Sequence, residues 1–276
     1  STYLDSPRAI EIAVQALDSP MDRFLNYALR QAVHGLADRW KPAFTSGKLT
    51  FAGRSEHAAF VLQEDGSKDI AGQLKTLSAN SALSGDAQFN LLKLLANIGS
   101  PSDLEYVLDQ SRTHPKLLAE LAEITRIRGL RPGGNFRTTI TKHINSKNTE
   151  AVRGSALLAG ELKVASLLPR IGELGVRNAT PQPVRSAAIQ AYGQLAHERA
   201  IPDLMQLASP SHNKDTRIAA INALAGIDLA ASADQGARLL KNISTAEDAN
   251  LVLQPFLNRK AGLTILAPAV SRSKPT

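Results

Sequence analysis

The sequence predicts an all-α protein in which helix pairs stack into a solenoid. Hydrophobic residues make up 43% of the 276 residues and aromatic residues only 4%. This balance is typical of helices packed through alanine and leucine, whereas β-sandwiches favour β-branched and aromatic residues. An internal repeat is the second observation, because an arginine followed three residues later by alanine recurs at intervals of 32 residues. The copies are Arg153 with Ala156, Arg185 with Ala188, and Arg217 with Ala220.

The middle copy shows what one repeat contains. Apolar residues from Val184 to Leu195 fall at offsets of 0, 3, 4, 7, 8 and 11, which is one face of an α-helix. A second helix follows, with Pro202 in its first turn, and the polar segment 209–215 ends it. One such pair cannot bury both apolar faces alone, so neighbouring pairs must stack.

The same rhythm extends in both directions from these copies. We expect about seven pairs in a right-handed superhelix, forming a single domain over residues 1–276 with the most regular repeats at 149–245. The further predicted helices are Pro7–Leu17, Asp22–Leu36, Ala87–Ile98, Asp103–Asp109, Pro115–Ile127, Ala246–Leu257 and Leu263–Val270.

Two stretches depart from the repeat pattern. Residues 38–53 contain the only tryptophan, Trp40, and are predicted to be an insertion too irregular for a helix. Residues 126–147 form a basic connection that includes the glycine-rich segment 129–135. Insertions in solenoids usually map to loops on one face, which is often the binding face.

Three segments of the chain resemble one known family: Asp22–Ala32, Trp40 followed by Gly47-Lys48-Leu49, and Leu257–Gly262. They are similar to the HEAT-repeat segment of multidomain membrane-bound dehydrogenases, also called haem-binding proteins, of planctomycetes and verrucomicrobia. In that family a propeller resembling sugar dehydrogenases precedes the armadillo-like HEAT helices, and a c-type cytochrome domain follows them. The resemblance covers essentially the whole chain. It implies an extracytoplasmic, periplasmic location, a spacer role between the two flanking domains, and no catalytic residue.

The residues themselves offer no catalytic site. The absence of cysteine excludes thiolate nucleophiles, thiolate zinc sites and C-x-x-C-H haem attachment. Phosphate-binding glycine motifs and G-x-S-x-G are absent as well. The sequence therefore predicts no catalytic residue, no metal site and no cofactor in this chain. A metal site on one helix would require two histidines four residues apart, and no two histidines of the chain have that spacing. The six are His34, His57, His114, His143, His197 and His212.

The strongest compositional anomaly is a stretch between Glu123 and Glu150 that has no acidic residue. Its cations nearly account for the formal net charge of +7. We interpret them as a candidate anion-binding or partner-binding surface, the alternative being a solvated face without a ligand. The six cations are Arg126, Arg128, Arg131, Arg137, Lys142 and Lys147.

Two other features have a functional and a structural interpretation. Trp40 is a candidate interface anchor, or it packs the insertion onto the solenoid. Arg153, Arg185 and Arg217 could face a ligand, but a residue repeated in every unit is better explained by a structural role, with its guanidinium bound to a nearby acid or turn carbonyl.

The sequence thus favours a non-catalytic scaffold for protein–protein interaction, with flanking domains or an electron-transfer protein as partners. No apolar run approaches the roughly 20 residues of a transmembrane helix, and no signal peptide is visible. The alternative is a nucleic-acid-binding protein of the HEAT-like DNA glycosylase type that uses a basic concave surface. That alternative is disfavoured because only Phe136 supplies an aromatic ring within the basic stretch.

Overall fold

The fold is all-α, as a computed structural model of the chain shows. The structure describes residues 6–46, 48–51, 54–67, 70–177 and 179–273. Within these ranges the regular structure consists of helices, and no strand is present. The prediction of an all-α fold is confirmed.

The chain divides into two compact units. The first comprises residues 1–117 together with 132–134, and the second comprises 118–131 together with 135–276. The single domain predicted over residues 1–276 stays a prediction, and the two units are described separately.

The first unit is built from short helices, some of which begin at a side-chain cap. The Oδ1 atom of Asp22 accepts a hydrogen bond from the backbone N–H of Leu25 at 2.7 Å, which starts the second helix. Ser100 and Asp103 form a reciprocal capping box around Pro101 at the start of the seventh helix. The helices are α1 (Ala9–Ala13), α2 (Arg23–Gly35), α3 (Ala37–Thr45), α4 (Ser55–Asp65), α5 (Ala71–Ser78), α6 (Gly85–Ile98) and α7 (Pro101–Gln110), with a 3-10 helix at Val14–Asp18.

The prediction that residues 38–53 are too irregular for a helix is wrong for the first half of the segment, because α3 spans Ala37–Thr45. Pro42 lies inside this helix, where its missing N–H and its ring are normally unfavourable. Burial of aromatic side chains offsets that cost. The ring centroid of Phe44 lies 6.4 Å from that of Trp40 and 5.6 Å from that of Phe51, both edge-on. Residues 47, 52 and 53 lie outside the described residues.

Trp40 itself is fully buried, with an exposed fraction of 0%. Its indole N–H donates to the backbone oxygen of Val33 at 2.9 Å, so the polar edge of the ring is satisfied inside the unit. A side chain without solvent exposure cannot contact a partner at the surface. The hypothesis of Trp40 as an interface anchor is therefore wrong, and the packing alternative describes this residue.

The second unit contains the repeat helices. Each repeat consists of a first and a second helix. In the first two pairs a 3-10 turn, at Ala165–Leu167 and at His197–Ala200, joins the first helix to the second. The preceding helices of this region are α8 (Leu117–Arg128) and α9 (Phe136–Ile144). The pairs are α10 (Thr149–Glu161) with α11 (Leu168–Val176), α12 (Gln182–Ala196) with α13 (Ile201–Leu207), α14 (Lys214–Ala225) with α15 (Leu229–Leu240), and α16 (Ala246–Leu257) with α17 (Gly262–Ser273).

The first helices of the pairs lie side by side. Helix α12 packs against both α10 and α14, and α14 packs against α16. Small residues allow close approach at these contacts: a Cβ atom added to Gly160 of α10 would lie only 3.1 Å from the Cα atom of Ala191 in α12. The alanine-rich composition thus allows short helix-to-helix distances, while Leu204 of α13 and both Ile221 and Leu224 of α14 belong to one buried core shared by the second and third pairs.

A hydrogen bond between Tyr192 and Asp203 connects the two helices of the second pair. The Tyr192 hydroxyl donates to Oδ2 of Asp203 at 2.5 Å. This bond, together with burial, raises the pKa of Tyr192 to about 12 from its usual value of 10.0.

The raised pKa of Tyr192 predicts a loss of stability in alkali. The folded state favours the protonated phenol, so its contribution to stability is complete below pH 10 and disappears as the pH rises towards 12. We expect the free energy of unfolding of the wild type to fall more steeply over this range than that of Tyr192→Phe. Urea unfolding at a series of pH values measures this difference, and parallel curves for the two proteins would contradict the assignment.

Candidate interaction groove and basic segment

The repeat arginines bind the loops that precede their helices. Arg185 is 7% exposed, and its Nη2 atom donates to the backbone oxygens of Arg177 and Thr180, each at 3.1 Å. Arg217 is 9% exposed, and its Nε atom donates to the oxygen of Ala208 at 3.2 Å. Burial lowers the pKa of the Arg217 guanidinium. These two buried arginines therefore have a structural role, because each binds the backbone of the loop that precedes its own helix.

Arg153 differs from the other two arginines because its register is shifted by one residue. Helix α10 follows its N-cap Asn148, and α12 follows its N-cap Pro181, an interval of 33 residues. The arginine interval is 32, so the residue of α10 that corresponds to Arg185 is Val152. One residue along a helix is a rotation of about 100°. Accordingly, the Arg153 side chain is 37% exposed and pairs with Glu150 on its own helix at 3.5 Å.

This rotation places Arg153 at the edge of a groove that crosses α10, α12, α14 and α16. The groove has a volume of about 1240 Å³ and lies wholly within the second unit. Its apolar part includes Leu157, Ile218 and Leu251, the last of which is 47% exposed. An exposed apolar side chain within a concave surface is a feature of binding sites.

A row of amide side chains runs along the same groove. Gln190 of α12, Asn222 of α14 and Gln254 of α16 all line it and stand 32 residues apart. We call these three residues the amide row. Sequence analysis missed them, although the 32-residue interval that revealed the arginines would also have found them. The interval alone does not show which face of its helix each residue occupies, and so it does not show that the three amides share a groove.

The amides along the groove have unused hydrogen-bonding capacity. Within the described residues, the Oδ1 atom of Asn222 is buried without a hydrogen-bond partner. The neighbouring Gln194 donates through Nε2 to Oε1 of Glu161 at 2.7 Å, while its own Oε1 has no partner in that part of the chain. A buried acceptor that lacks a donor costs about 1–3 kcal/mol, and these two oxygens have almost no accessible surface that a ligand could contact.

The groove is also mildly basic. Arg153, Lys163 and Arg259 line it, and Asp215 is the acidic residue among its described lining residues. Lys163 donates to the backbone oxygen of Gln194 at 3.0 Å and is exposed. The electrostatic potential of the groove therefore favours a ligand of negative charge.

The basic segment that the sequence singled out is less uniform than predicted. Only residues 129–135 and 145–147 of this stretch are connections, since Arg126 and Arg128 belong to α8 while Arg137 and Lys142 belong to α9. Glu123 binds Arg126 through its carboxylate, with Nε at 3.0 Å, and raises the pKa of that arginine. The guanidinium carbon of Arg137 lies 5.7 Å from the centre of the Phe136 ring. Arg131 and Lys147 are exposed in the connections.

Neither a metal centre nor a membrane segment emerges from the described residues. In these ranges no group of three or more histidine, aspartate or glutamate side chains is arranged to hold a metal ion. The helices that the structure describes are each too short or too polar to cross a bilayer.

Comparison with known proteins identifies the repeat region. Residues 174–253 match the family model of HEAT repeats, a range that runs from the end of α11 into α16. It includes Arg185, Arg217 and most of the groove. No curated protein and no solved structure shows significant similarity to the chain. The chain therefore contains a HEAT-repeat segment, as the sequence predicted.

Proposed function

We propose that the chain is a non-catalytic scaffold for protein–protein interaction, with the groove of the second unit as its binding surface. The observation that carries the proposal is the open groove, lined by apolar and amide side chains, most of which lies in the HEAT-repeat segment. HEAT repeats generally mediate protein interactions and are generally not enzymes. Stacked repeats create extended concave surfaces suited to this role.

The more specific role that we propose is a spacer between a propeller dehydrogenase domain and a c-type cytochrome domain in an extracytoplasmic protein. Its support is the resemblance of Asp22–Ala32 and Leu257–Gly262 to that family, together with exposed apolar side chains in these regions. Phe24 is 83% exposed and Leu257 is 57% exposed. Large exposed apolar side chains are typical of surfaces that another protein covers.

Two measurements test this role. The coding sequence on either side of the chain should encode a propeller upstream and a C-x-x-C-H motif downstream. The purified chain itself should give no Soret band after incubation with haemin, since it offers no cysteine for attachment. A stoichiometric Soret band, or flanking sequence of another kind, would contradict the spacer role.

The second candidate function is binding of nucleic acid by the basic segment, which the exposed cations Arg131, Arg137, Lys142 and Lys147 favour. Against it, Glu123 neutralises Arg126, and Trp40 is too deeply buried to stack on a base. We expect any gel-shift affinity for duplex DNA to vanish at about 200 mM salt, because attraction to phosphates alone is lost as counterions compete. Retained binding at that salt concentration would favour this candidate over the spacer.

A further inference from the structure

We infer that the groove binds an extended, acidic peptide segment of a partner protein through the amide row. The inference rests on the proposed function and specifies the chemistry of the partner. It begins from the positions of Gln190, Asn222 and Gln254 on three successive first helices, in one groove and at one interval.

Amide side chains match the backbone of an extended chain. Each amide offers both a donor and an acceptor, as does each peptide unit of a chain that lacks internal hydrogen bonds. A helical ligand would leave these side chains unmatched, because its own N–H and C=O groups are already paired. The side chains of Gln190 and Gln254 are exposed in the groove, so the backbone of a bound chain can reach both of their amide groups.

The interval between the amides suits an extended chain. Neighbouring helices pack at about 8–10 Å, and an extended peptide advances about 3.3 Å per residue. Successive members of the amide row therefore correspond to every third residue of a bound chain. The groove crosses four helices, so its occupant has a length of about 9 residues on the same estimates.

The volume and the charge of the groove indicate which class of ligand fits it. The volume of about 1240 Å³ exceeds the roughly 300–1,000 Å³ of small-molecule pockets. Arg153 pairs with Glu150, but Lys163 and Arg259 still outnumber Asp215, which favours acidic side chains in the occupant. Among the described residues that line the groove there is no Phe, Tyr or Trp and one histidine, His197, so the groove lacks the series of rings on which successive bases of a single strand stack.

Selection from a phage-displayed library of random linear peptides of about 12 residues, long enough to span the groove, tests the inference on the whole chain. The enriched sequences should contain more Asp and Glu than Lys and Arg. The most enriched peptide, synthesised with a fluorescent label, should bind the Gln190→Ala/Asn222→Ala/Gln254→Ala variant about tenfold or more weakly, because three backbone-binding groups are removed.

Three controls separate groove binding from other effects. Asn250→Ala removes an exposed amide of α16 that does not line the groove, and it should leave the affinity unchanged. The double variant Gln190→Ala/Gln254→Ala changes only exposed side chains, so its fold should be preserved and its affinity should still fall. N-methylation of alternate backbone nitrogens of the peptide should abolish binding, since it removes the N–H donors while keeping the side chains.

The outcomes distinguish this inference from the proposed function. Peptides that bind the triple variant as tightly as the wild type, or that tolerate N-methylation, overturn recognition by the amide row. They leave the interaction scaffold in place, because they still bind the chain. A library that yields no enriched peptide overturns the inference alone, because folded partner proteins are not represented in it.

Discussion

Replacing Trp40 with alanine is expected to lower the free energy of unfolding by about 3–5 kcal/mol, the usual cost of truncating a large core aromatic residue. The indole has an exposed fraction of 0% and contacts Phe44 edge-on. Its removal also leaves the oxygen of Val33 without the donor that it has in the wild type. Urea unfolding followed by circular dichroism measures the change, because the variant lacks the only tryptophan of the chain.

Phe24→Ala is the matched control for this experiment. It removes an aromatic side chain of the same unit that is 83% exposed, and surface substitutions usually change stability by less than about 0.5 kcal/mol. Equal effects of the two substitutions would contradict the burial of Trp40. Such a result would instead support the hypothesis that Trp40 is an interface anchor.

The second large effect is expected for Gly154→Ala in α10. The new Cβ atom would lie 2.6 Å from the Cβ atom of Leu118 and 2.9 Å from the backbone nitrogen of Ala119. These atoms belong to α8 and cannot turn aside as a flexible side chain can, so the helices must separate. We expect a loss of about 1–3 kcal/mol, the usual cost of overpacking a core.

Gly172→Ala in α11 provides the comparison for Gly154→Ala. Its Cβ atom would lie 3.5 Å from the ring of Tyr192, which is ordinary van der Waals contact. Alanine is the better helix former by up to about 1 kcal/mol, so this variant should be as stable as the wild type or more stable. If Gly154→Ala unfolds at the same urea concentration as Gly172→Ala, α8 and α10 do not approach as closely as described.

The regular repeats were predictable because their helices have strong local signals. The apolar spacing from Val184 to Leu195 and the polar stop at 209–215 correspond to α12 and to the end of α13. The predicted helix Ala246–Leu257 has the same bounds as α16. Periodicity of this kind fixes both the type and the length of an element.

The features that sequence reasoning missed depend on tertiary packing. Helix α3 has an unfavourable local sequence around Pro42, and it forms because Trp40, Phe44 and Phe51 pack together. Arg153 looked equivalent to Arg185, since a spacing of 32 residues hides a shift of one position along the helix. The amide row needed the same knowledge of helix faces, which requires the positions of the neighbouring helices.

The close contact of α10 and α12 through Gly160 has a consequence for selectivity. Helices whose backbones come this close cannot move nearer to each other, because a Cβ atom at Gly160 would already lie only 3.1 Å from the Cα atom of Ala191. A hydrogen bond from Gln194 of α12 to Glu161 of α10 opposes their separation, so the distance between these two first helices is held. In the peptide-binding groove that we infer, the contacts along the groove would therefore accept only a partner whose residues have the matching spacing. A partner chain with one residue added or removed between two contacts would lose one of them.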